Sequence, residues 1–263
     1  MEKEKNSIHD FDYNLICEYF NELERQGPGS DEVTEKALGF IENLPDDARI
    51  VDIGCGTGGQ TITLALNTKG KITAVDLFPA FIGSLEKNAK DNYLDDRIEG
   101  MIASMDNLPF LDNYYDLIWS EGAIYNIGFE RGLKEWHQYL KKNGYIAVSE
   151  VSWFTKERPK EIEDFWMDAY PEIDTIPQKV RIMEEAGYIP VAHFVLPENC
   201  WIENFYEPQE EVRKSFMAKY KHDQNVRNFI VSEKHEQELY MKYKDYYGYV
   251  FYIGKKYESG LIF

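Results

Sequence analysis

Apolar and polar residues follow two different periods along the chain, which predict strands that alternate with helices. Short apolar runs of strand length are separated by longer segments in which apolar residues recur every three or four positions. The predicted strands lie at 49–53, 71–76, 97–103, 115–120, 144–151, 189–196 and 249–253. The predicted helices between them lie at 59–67, 79–92, 129–141 and 179–186. This order is typical of an α/β fold with a seven-stranded, mostly parallel sheet and helices on both faces.

The residues before the first strand predict an N-terminal helical cap at 1–45. Apolar residues recur at helical spacing before the glycine-containing segment 26–30, and Ser30 suits the N-cap of a second helix that ends at Leu44. The segment 26–30 can approach a bound ligand, or it can serve as a hinge for the cap. The sequence allows both.

A second segment outside the alternation lies at 197–247 and predicts a helical insertion before the last strand. It contains two predicted helices and the aromatic stretch 201–206. The core then comprises 46–196 and 248–263. Because open α/β sheets bind ligands at the carboxyl ends of their strands, the insertion either covers that edge or packs as ordinary surface helices. Its aromatic residues also allow a homodimer.

The formal net charge of −18 narrows the classes of partner. Proteins that bind nucleic acid carry a basic face; this chain lacks a basic cluster, so nucleic acid and anionic membranes are disfavoured. No stretch approaches the ~20 apolar residues of a membrane span, and 1–5 lacks the apolar run of a secretory signal. Cys17, Cys55 and Cys200 form no CxxC pair, which argues against a disulfide framework or a zinc site. We therefore expect a cytoplasmic protein without a metal.

Four glycines within six positions follow the first predicted strand, where 54–59 reads Gly-Cys-Gly-Thr-Gly-Gly. Glycine is needed where the backbone takes positive φ or approaches a ligand closely. Gly54, Gly56 and Gly59 satisfy the GxGxxG pattern. Asp76 ends the second predicted strand, where an acid accepts hydrogen bonds from ribose hydroxyls. These residues predict a site for an adenosine cofactor, which is NAD or another adenosine compound.

Five stretches resemble the motifs of the class I S-adenosylmethionine-dependent methyltransferases. Residues 52–58 resemble the first motif of that family, and 74–79 resembles the second. Residues 103–110 resemble the adenine loop. Residues 115–118 resemble the fourth-strand motif, and 140–145 resembles the turn into the fifth strand. Within the family, the chain is most similar to the small-molecule branch, the quinone and sterol methyltransferases. The resemblance implies a Rossmann-like fold with an antiparallel last strand.

The resemblance also implies S-adenosylmethionine as cofactor, S-adenosylhomocysteine as product and a small-molecule methyl acceptor. The positions implied to contact the cofactor are Asp52, Gly54, Cys55, Gly56, Gln60, Asp76, Leu77, Phe78, Ser104, Met105 and Glu121. Asp52 would stand near the ammonium group, Asp76 would hold the ribose, and Met105 would cover one face of the adenine. The family often has an acid where Ser104 stands. The partner of the adenine amino group is therefore Ser104, Asp106 or a backbone carbonyl.

Methyl transfer from a sulfonium is an in-line displacement, for which the protein mainly aligns the reacting atoms and excludes water. A base is needed only where the acceptor is protonated. Glu121 and Tyr125 follow the fourth predicted strand, and Glu150 ends the fifth. These three residues are the catalytic candidates.

Two other functions stay open. An NAD-dependent oxidoreductase is compatible with GxGxxG and Asp76, but no Tyr-x-x-x-Lys helix is recognisable, since Tyr139 is followed four positions later by Asn143. The second alternative is a non-catalytic cofactor-binding module. The presence of both Glu121 and Glu150 argues against it.

Overall fold

The computed structural model describes residues 13–257 of the protein. The start of the predicted cap and the end of the predicted core lie outside these residues. The strands are β1 (Arg49–Ile53), β2 (Lys71–Asp76), β3 (Ile98–Ile102), β4 (Tyr115–Glu121), β5 (Leu140–Trp153), β6 (Asp174–Thr175), β7 (Tyr188–Val195) and β8 (Tyr247–Lys256). The helices are α1 (Tyr13–Asn21), α2 (Asp31–Leu38), α3 (Gly59–Asn67), α4 (Pro79–Asp91), α5 (Phe129–Trp136), α6 (Lys160–Ala169), α7 (Ile176–Glu185), α8 (Gln209–Lys219) and α9 (Gln224–Tyr243).

The strands form one sheet in the order β3-β2-β1-β4-β5-β8-β7, and β6 pairs with β5. Strands β1 to β5 are parallel to their neighbours in this group, whereas β8 runs antiparallel to both β5 and β7. The predicted α/β fold with a mostly parallel sheet and an antiparallel last strand is confirmed. All seven predicted strands are present, and the two-residue β6 is an additional strand that the sequence did not indicate.

Both faces of the sheet are buried. One face packs against α2, α3 and α4, and the other packs against α5 and α7. Three consecutive residues of β4 (Leu117, Ile118 and Trp119) are therefore fully buried, although their side chains point alternately to opposite faces. This explains why the parallel strands appear in the sequence as continuous apolar runs rather than as alternating ones.

Several predicted boundaries differ from the structure. The helix predicted at 129–141 ends at Trp136, and β5 begins at Leu140, before the predicted start of the fifth strand. Leu140 pairs with Tyr115, after which the register shifts and Asn143 takes a φ of 61°. A bulge of this kind interrupts the alternation of apolar residues, so the sequence pattern does not predict it. The second helix of the cap ends at Leu38 rather than at the predicted Leu44.

The cap and the insertion pack against each other. Tyr19 on α1 is fully buried, and its ring makes edge-to-face contacts with Phe216 and Phe229 at centroid distances of 5.4 and 5.1 Å. The predicted division into a cap, a core and an insertion stays a prediction, since these contacts do not show that any part folds alone. Among residues 13–257, no helix combines the length and the apolar character that crossing a bilayer requires.

Removal of the Leu117 side chain tests the position of the core. Leu117 is fully buried between β1 and β5, where it pairs with Ile50 and Tyr145. We expect Leu117→Ala to lower the free energy of unfolding by about 2–5 kcal/mol, because the transfer energy is lost and a cavity remains. Urea denaturation followed by tryptophan fluorescence measures this change. The matched variant Leu66→Ala, at a position 64% exposed on α3, is expected to change it by no more than about 0.5 kcal/mol. Equal losses would contradict the placement of β4 at the centre.

Candidate active site

The glycine turn after β1 has a backbone that side chains would not allow. Gly54, Gly56 and Gly58 have φ values of 78°, 55° and 95°, a region that residues with a Cβ rarely adopt. A Cβ placed on Gly54 would lie 2.3 Å from the Cβ of Ala123 in the loop after β4. The amides of Gly54 and Cys55 both donate to the carbonyl of Val75, at 2.8 and 2.9 Å. The turn is therefore fixed between the ends of β2 and β4.

Cys55 lies inside this turn and is buried. Burial raises the pKa of its thiol well above the usual value, and the charges of Asp52 and Asp76 raise it further. The thiol is therefore protonated and serves as a small apolar side chain.

Asp76, at the end of β2, joins the glycine turn to α4. Its Oδ2 accepts a hydrogen bond from the amide of Gly56 at 3.0 Å, and its Oδ1 accepts one from the amide of Phe78 at 3.0 Å. Burial raises the pKa of this carboxyl, whereas the backbone hydrogen bonds lower it. A carboxylate has about four lone-pair sites, so both oxygens can still accept hydrogen bonds from a ligand.

Asp52 lies beneath the turn and is fully buried. It accepts hydrogen bonds from the Thr61 hydroxyl at 2.6 Å and from the Gln60 amide at 3.5 Å. Burial raises the pKa of Asp52 to about 7, and the charges of Glu121 and Asp76 add to this effect. The carboxyl therefore changes its charge near neutral pH.

Apolar side chains are exposed at the carboxyl ends of β2 and β3. Leu77 is 54% exposed and Ile102 is 57% exposed. Met105 is half-buried, and its Cε lies 3.5 Å from the position of a Cβ on Gly54. These three side chains suit a flat aromatic ligand. The sequence did not single out Ile102, because its exposure depends on where β3 ends.

Two further residues predicted to contact the cofactor, Ser104 and Phe78, are engaged with close neighbours. The Ser104 hydroxyl donates to Asp106 Oδ1 at 2.5 Å. Phe78 makes an edge-to-face contact with Phe81 at a centroid distance of 5.3 Å. Phe78 thus packs on the first turn of α4, and Ser104 and Asp106 form one polar pair at the rim of the site.

The cap contacts the glycine turn through Gln26. Its Oε1 accepts a hydrogen bond from the amide of Thr57 at 2.9 Å, and its Nε2 donates to the carbonyl of Leu23 at 2.9 Å. A Cβ on Gly56 would lie 2.0 Å from Gln26 Oε1. Both options for 26–30, approach to a bound ligand and a hinge for the cap, stay predictions. The contact of Gln26 with the glycine turn was not predicted, because it depends on how the cap packs.

Glu121 ends β4 next to the turn, but its two oxygens point to the cap. Oε1 accepts hydrogen bonds from the Thr34 hydroxyl at 2.6 Å and from the Trp119 indole at 2.9 Å. Oε2 accepts one from Arg25 Nη1 at 3.3 Å, and Arg25 also pairs with Asp31 at 2.9 Å. The side chains of Arg25 and Glu121 are only 9% and 4% exposed. Glu121 therefore fastens the cap to the end of β4.

Glu150 on β5 lies on the sheet face that packs against α7. Its Oε1 accepts a hydrogen bond from Lys179 Nζ at 3.1 Å, and both side chains are almost completely buried. Lys179 also donates to the carbonyl of Glu172 at 2.9 Å. Burial raises the pKa of Glu150, while Lys179 and the Tyr170 hydroxyl lower it. The structure thus places Glu150 in a closed ion pair rather than at an open surface.

Tyr125 lies in the loop after β4, and its ring is in edge-to-face contact with Tyr170 at 6.0 Å. The residue is 42% exposed. Burial raises the pKa of its hydroxyl to about 12, with Glu236, Glu150 and Glu233 adding to the shift. The Tyr125 hydroxyl is protonated at neutral pH.

The residues at this edge fit an adenosine cofactor with a methionine tail. A carboxylate with free lone pairs stands at the end of β2, exposed apolar side chains flank it, and a second carboxyl lies under the glycine turn. Among the residues that the structure describes, no three His, Cys, Asp or Glu side chains converge in a way that could hold a metal ion.

The chain is similar in sequence to known methyltransferases. Residues 51–148 match the family described as "Methyltransferase domain". A 2-phytyl-1,4-naphtoquinone methyltransferase from Nostoc sp. is 23% identical over 158 residues, which are 59% of this chain and 68% of that protein. A ubiquinone/menaquinone biosynthesis C-methyltransferase UbiE from Citrifermentans bemidjiense is 29% identical over 126 residues, which are 47% of this chain and 54% of that protein.

The fold is similar to that of a solved methyltransferase. The crystal structure of an S-adenosylmethionine-dependent methyltransferase from Geobacter sulfurreducens, in complex with S-adenosylhomocysteine, has a TM-score of 0.80 to this chain at 14% identity. The similarity covers 93% of this chain and 98% of the other. At that identity it shows the fold alone. Residues 51–148 of the protein thus resemble a methyltransferase domain, and the fold of the chain is similar to that of a solved methyltransferase.

Proposed function

We propose that the protein transfers a methyl group from S-adenosylmethionine to a small-molecule acceptor by in-line displacement. One observation carries the proposal: the glycine turn after β1 takes φ values and a close contact with Ala123 that only glycine allows, and it lies beside the Asp76 carboxylate, which has free lone pairs. A cofactor at the turn would then lie beside the loop that carries Tyr125. The matched domain favours this reaction over the hydride transfer that GxGxxG also allowed.

When bound, S-adenosylmethionine supplies a methyl group on a sulfonium, which needs no further activation. Asp76 would accept hydrogen bonds from the ribose hydroxyls through its free lone pairs. Leu77, Phe78, Ile102 and Met105 would pack against the adenine. Ser104 and Asp106 would face the adenine amino group as one pair, since the Ser104 hydroxyl donates a hydrogen bond to Asp106.

Three glycine-turn positions, Gly54, Cys55 and Gly56, would pass beneath the methionine part of the cofactor. Asp52 would act on the ammonium group, directly or through water, and Gln60 would assist the carboxylate at the start of α3. The Gln60 amide already donates to the carbonyl of Cys55 at 3.3 Å, so the side chain is held in place before a ligand arrives.

The catalytic candidates take different roles. Glu121 is a positioning residue, because its oxygens hold Arg25 and Thr34 and so keep the cap over the turn, where the cap would exclude water. The protonated Tyr125 would donate a hydrogen bond to the acceptor. Glu150 would act indirectly, because Tyr170 interacts with its carboxyl and also packs on Tyr125. A cytoplasmic location and a homodimer stay predictions.

Substitution of Asp76 tests the function. We expect the wild-type protein to bind S-adenosylhomocysteine and Asp76→Asn to bind it roughly 10–100-fold more weakly, since hydrogen bonds to a charged group contribute about 1.5–3 kcal/mol. Isothermal titration measures both affinities. Asp46→Asn is the control, because Asp46 lies in an ion pair with Lys69 in which both side chains are more than two-thirds exposed.

The same proteins are then incubated with methyl-labelled S-adenosylmethionine and a pool of small metabolites. Label should enter the small-molecule fraction with the wild type and the Asp46 variant, and much less with the Asp76 variant. Folded wild-type protein that binds NADH more tightly than S-adenosylhomocysteine would refute the proposal. Tight cofactor binding without any transfer would instead support a non-catalytic module.

The titration of Asp52 predicts a pH effect on cofactor affinity. Burial raises the pKa of Asp52 to about 7, so the carboxyl is charged above that pH and neutral below it. Only the charged form attracts the ammonium group. From about pH 8 to about pH 6 the charged fraction falls from roughly 0.9 to roughly 0.1. We expect the affinity advantage of the wild type over Asp52→Asn to shrink several-fold over this interval.

Isothermal titration of S-adenosylhomocysteine at both pH values measures the ratio of the two Kd values. A change in the protonation of the ligand affects both Kd values equally, because the two proteins are titrated with the same ligand. It therefore does not change their ratio. A ratio that does not change with pH would show that Asp52 does not act on the ligand's charge.

The cap contact predicts a stability difference between two arginines. Arg25→Met leaves Glu121 buried without its cation, and we expect the free energy of unfolding to fall by about 3 kcal/mol. Arg131→Met removes a pair in which the side chains are 50% and 42% exposed, and we expect no measurable change in the free energy of unfolding, because water and salt screen such pairs. Urea denaturation measures both values. Similar losses for the two variants would contradict a buried role for Arg25.

A further inference from the structure

A cleft with a volume of about 860 Å³ lies between α8 and α9. All of its lining residues belong to these two helices, so it is separate from the glycine turn and from the carboxyl ends of the strands. Small-molecule sites have volumes of roughly 300–1,000 Å³. The cleft therefore has the size of a ligand site, and the proposed methyl transfer does not use it.

The floor of the cleft carries a buried cation, Arg213, which is only 5% exposed. Its Nη1 donates to Gln237 Oε1 at 2.7 Å, and its Nη2 donates to Gln209 Oε1 at 3.2 Å. Both acceptors are neutral amides, and Nε has no hydrogen-bond partner. Because a guanidinium has five N–H donors, these two hydrogen bonds fix its position and leave other donors for a ligand.

No carboxylate of residues 13–257 lies close enough to Arg213 to form an ion pair within 4.0 Å. Glu233 and Glu236 on α9 are the carboxyl groups whose pKa is lowered by its charge. Burial nevertheless raises the pKa of both, that of Glu233 to about 8, which reduces the negative charge that they hold near neutral pH. Arg213 thus has no anionic partner in direct contact, which is unfavourable for a buried charge.

The rim of the cleft carries exposed charges of both signs. Glu210 and Lys214 are four positions apart on α8, and Lys234 and Glu238 are four positions apart on α9, so each acid is the neighbour of a lysine on the helix surface. Lys242, the remaining cation of the rim, pairs with a carboxylate outside the cleft. Water screens these exposed charges. The cation that lacks a partner is therefore the one at the floor.

The remaining walls of the cleft are apolar. Met217 on α8 is half-buried, Met241 on α9 is 49% exposed, and Ile230 is almost fully buried. Unbranched thioether side chains adapt to ligands of different shape. A small inorganic anion would leave these walls in contact with water, and a neutral apolar molecule would leave Arg213 without a partner. The lining thus suits a molecule that has an anionic part and an apolar part.

We propose that the cleft between α8 and α9 binds a small amphipathic anion, in which a carboxylate or phosphate group contacts Arg213 and an apolar body lies against Met217 and Met241. The guanidinium is already held by Gln209 and Gln237, so binding requires little ordering of this side chain. The net charge of −18 makes the protein as a whole repel anions. An anion that binds therefore needs a local cation such as Arg213. The inference goes beyond the proposed methyl transfer and does not depend on it.

Three probes separate the two parts of the ligand. Octanoate and 1-octanol have the same eight-carbon chain and differ in charge at neutral pH, and acetate has the carboxylate without the chain. Each is titrated into the protein by isothermal titration calorimetry. We expect octanoate to bind at least about tenfold more tightly than either of the others, because a hydrogen bond to a charged group is strong. A higher salt concentration should weaken the binding of octanoate but not that of 1-octanol.

Removal of the cation tests the role of Arg213. Arg213→Met should reduce the advantage of octanoate over 1-octanol to about twofold or less. Arg227→Met is the matched control, because Arg227 is exposed on α9 outside the cleft and donates to the carbonyl of Lys221. This variant should keep the advantage. Urea denaturation shows whether each variant is folded.

A second pair of variants changes only exposed positions and locates the site. Met241→Glu adds a negative charge inside the cleft, and Val231→Glu adds the same charge on α9 outside it, at a position 65% exposed. The first should weaken octanoate binding at least about fivefold by repulsion, and the second less than about twofold.

Three results would overturn the inference: equal affinities of the wild type for octanoate and 1-octanol, acetate that binds as tightly as octanoate, or equal effects of the two glutamate variants. An octanoate advantage that persists in folded Arg213→Met would overturn it as well. None of these measurements requires S-adenosylhomocysteine, so the inference and the proposed function are tested separately.

Discussion

The close approach of two strand ends, at Gly54 and Ala123, is the constraint on which the rest of the site depends. Gly54 has a φ of 78°, and a Cβ there would lie 2.3 Å from the Cβ of Ala123. A side chain at Gly54 would push the loop after β4 away from the turn after β1. That loop follows Glu121, which fastens the cap, and its first residue, Gly122, lies against Tyr249. One contact between small residues therefore sets the distance between the cofactor edge and the cap.

The cap is held by different forces at its two ends. Tyr19 belongs to an apolar cluster with α8 and α9, which stabilises that end by burial. The other end is held by polar contacts of Gln26 with Thr57 and of Arg25 with Glu121. Hydrogen bonds contribute only about 1 kcal/mol each in net terms, because water replaces them when they open. The apolar end therefore depends on buried area, whereas the polar end depends on the geometry of a few contacts.

The sequence predicted the sheet and the cofactor edge because both depend on local patterns. The glycine turn and Asp76 lie at fixed places after β1 and β2, so their meeting follows from strand order. The contacts of Gln26 depend on how the cap packs against the glycine turn, and the spacing of apolar residues does not indicate that packing. The pairing of Glu150 with Lys179 likewise depends on how α7 packs against β5. Tertiary packing, not local preference, decides these contacts.

The buried carboxyl groups at the ends of β4 and β5 are used for structure. Glu150 has one cation of its own, Lys179, and that pair is closed. Such a pair costs desolvation energy that its attraction only partly offsets, so it fixes geometry more than it adds stability. Glu121 is paired in the same way with Arg25, and its other oxygen accepts hydrogen bonds from Thr34 and Trp119. Two carboxyl groups that are each held by a neighbouring cation position the elements around the site, which agrees with a reaction in which the protein mainly aligns the reacting atoms and excludes water.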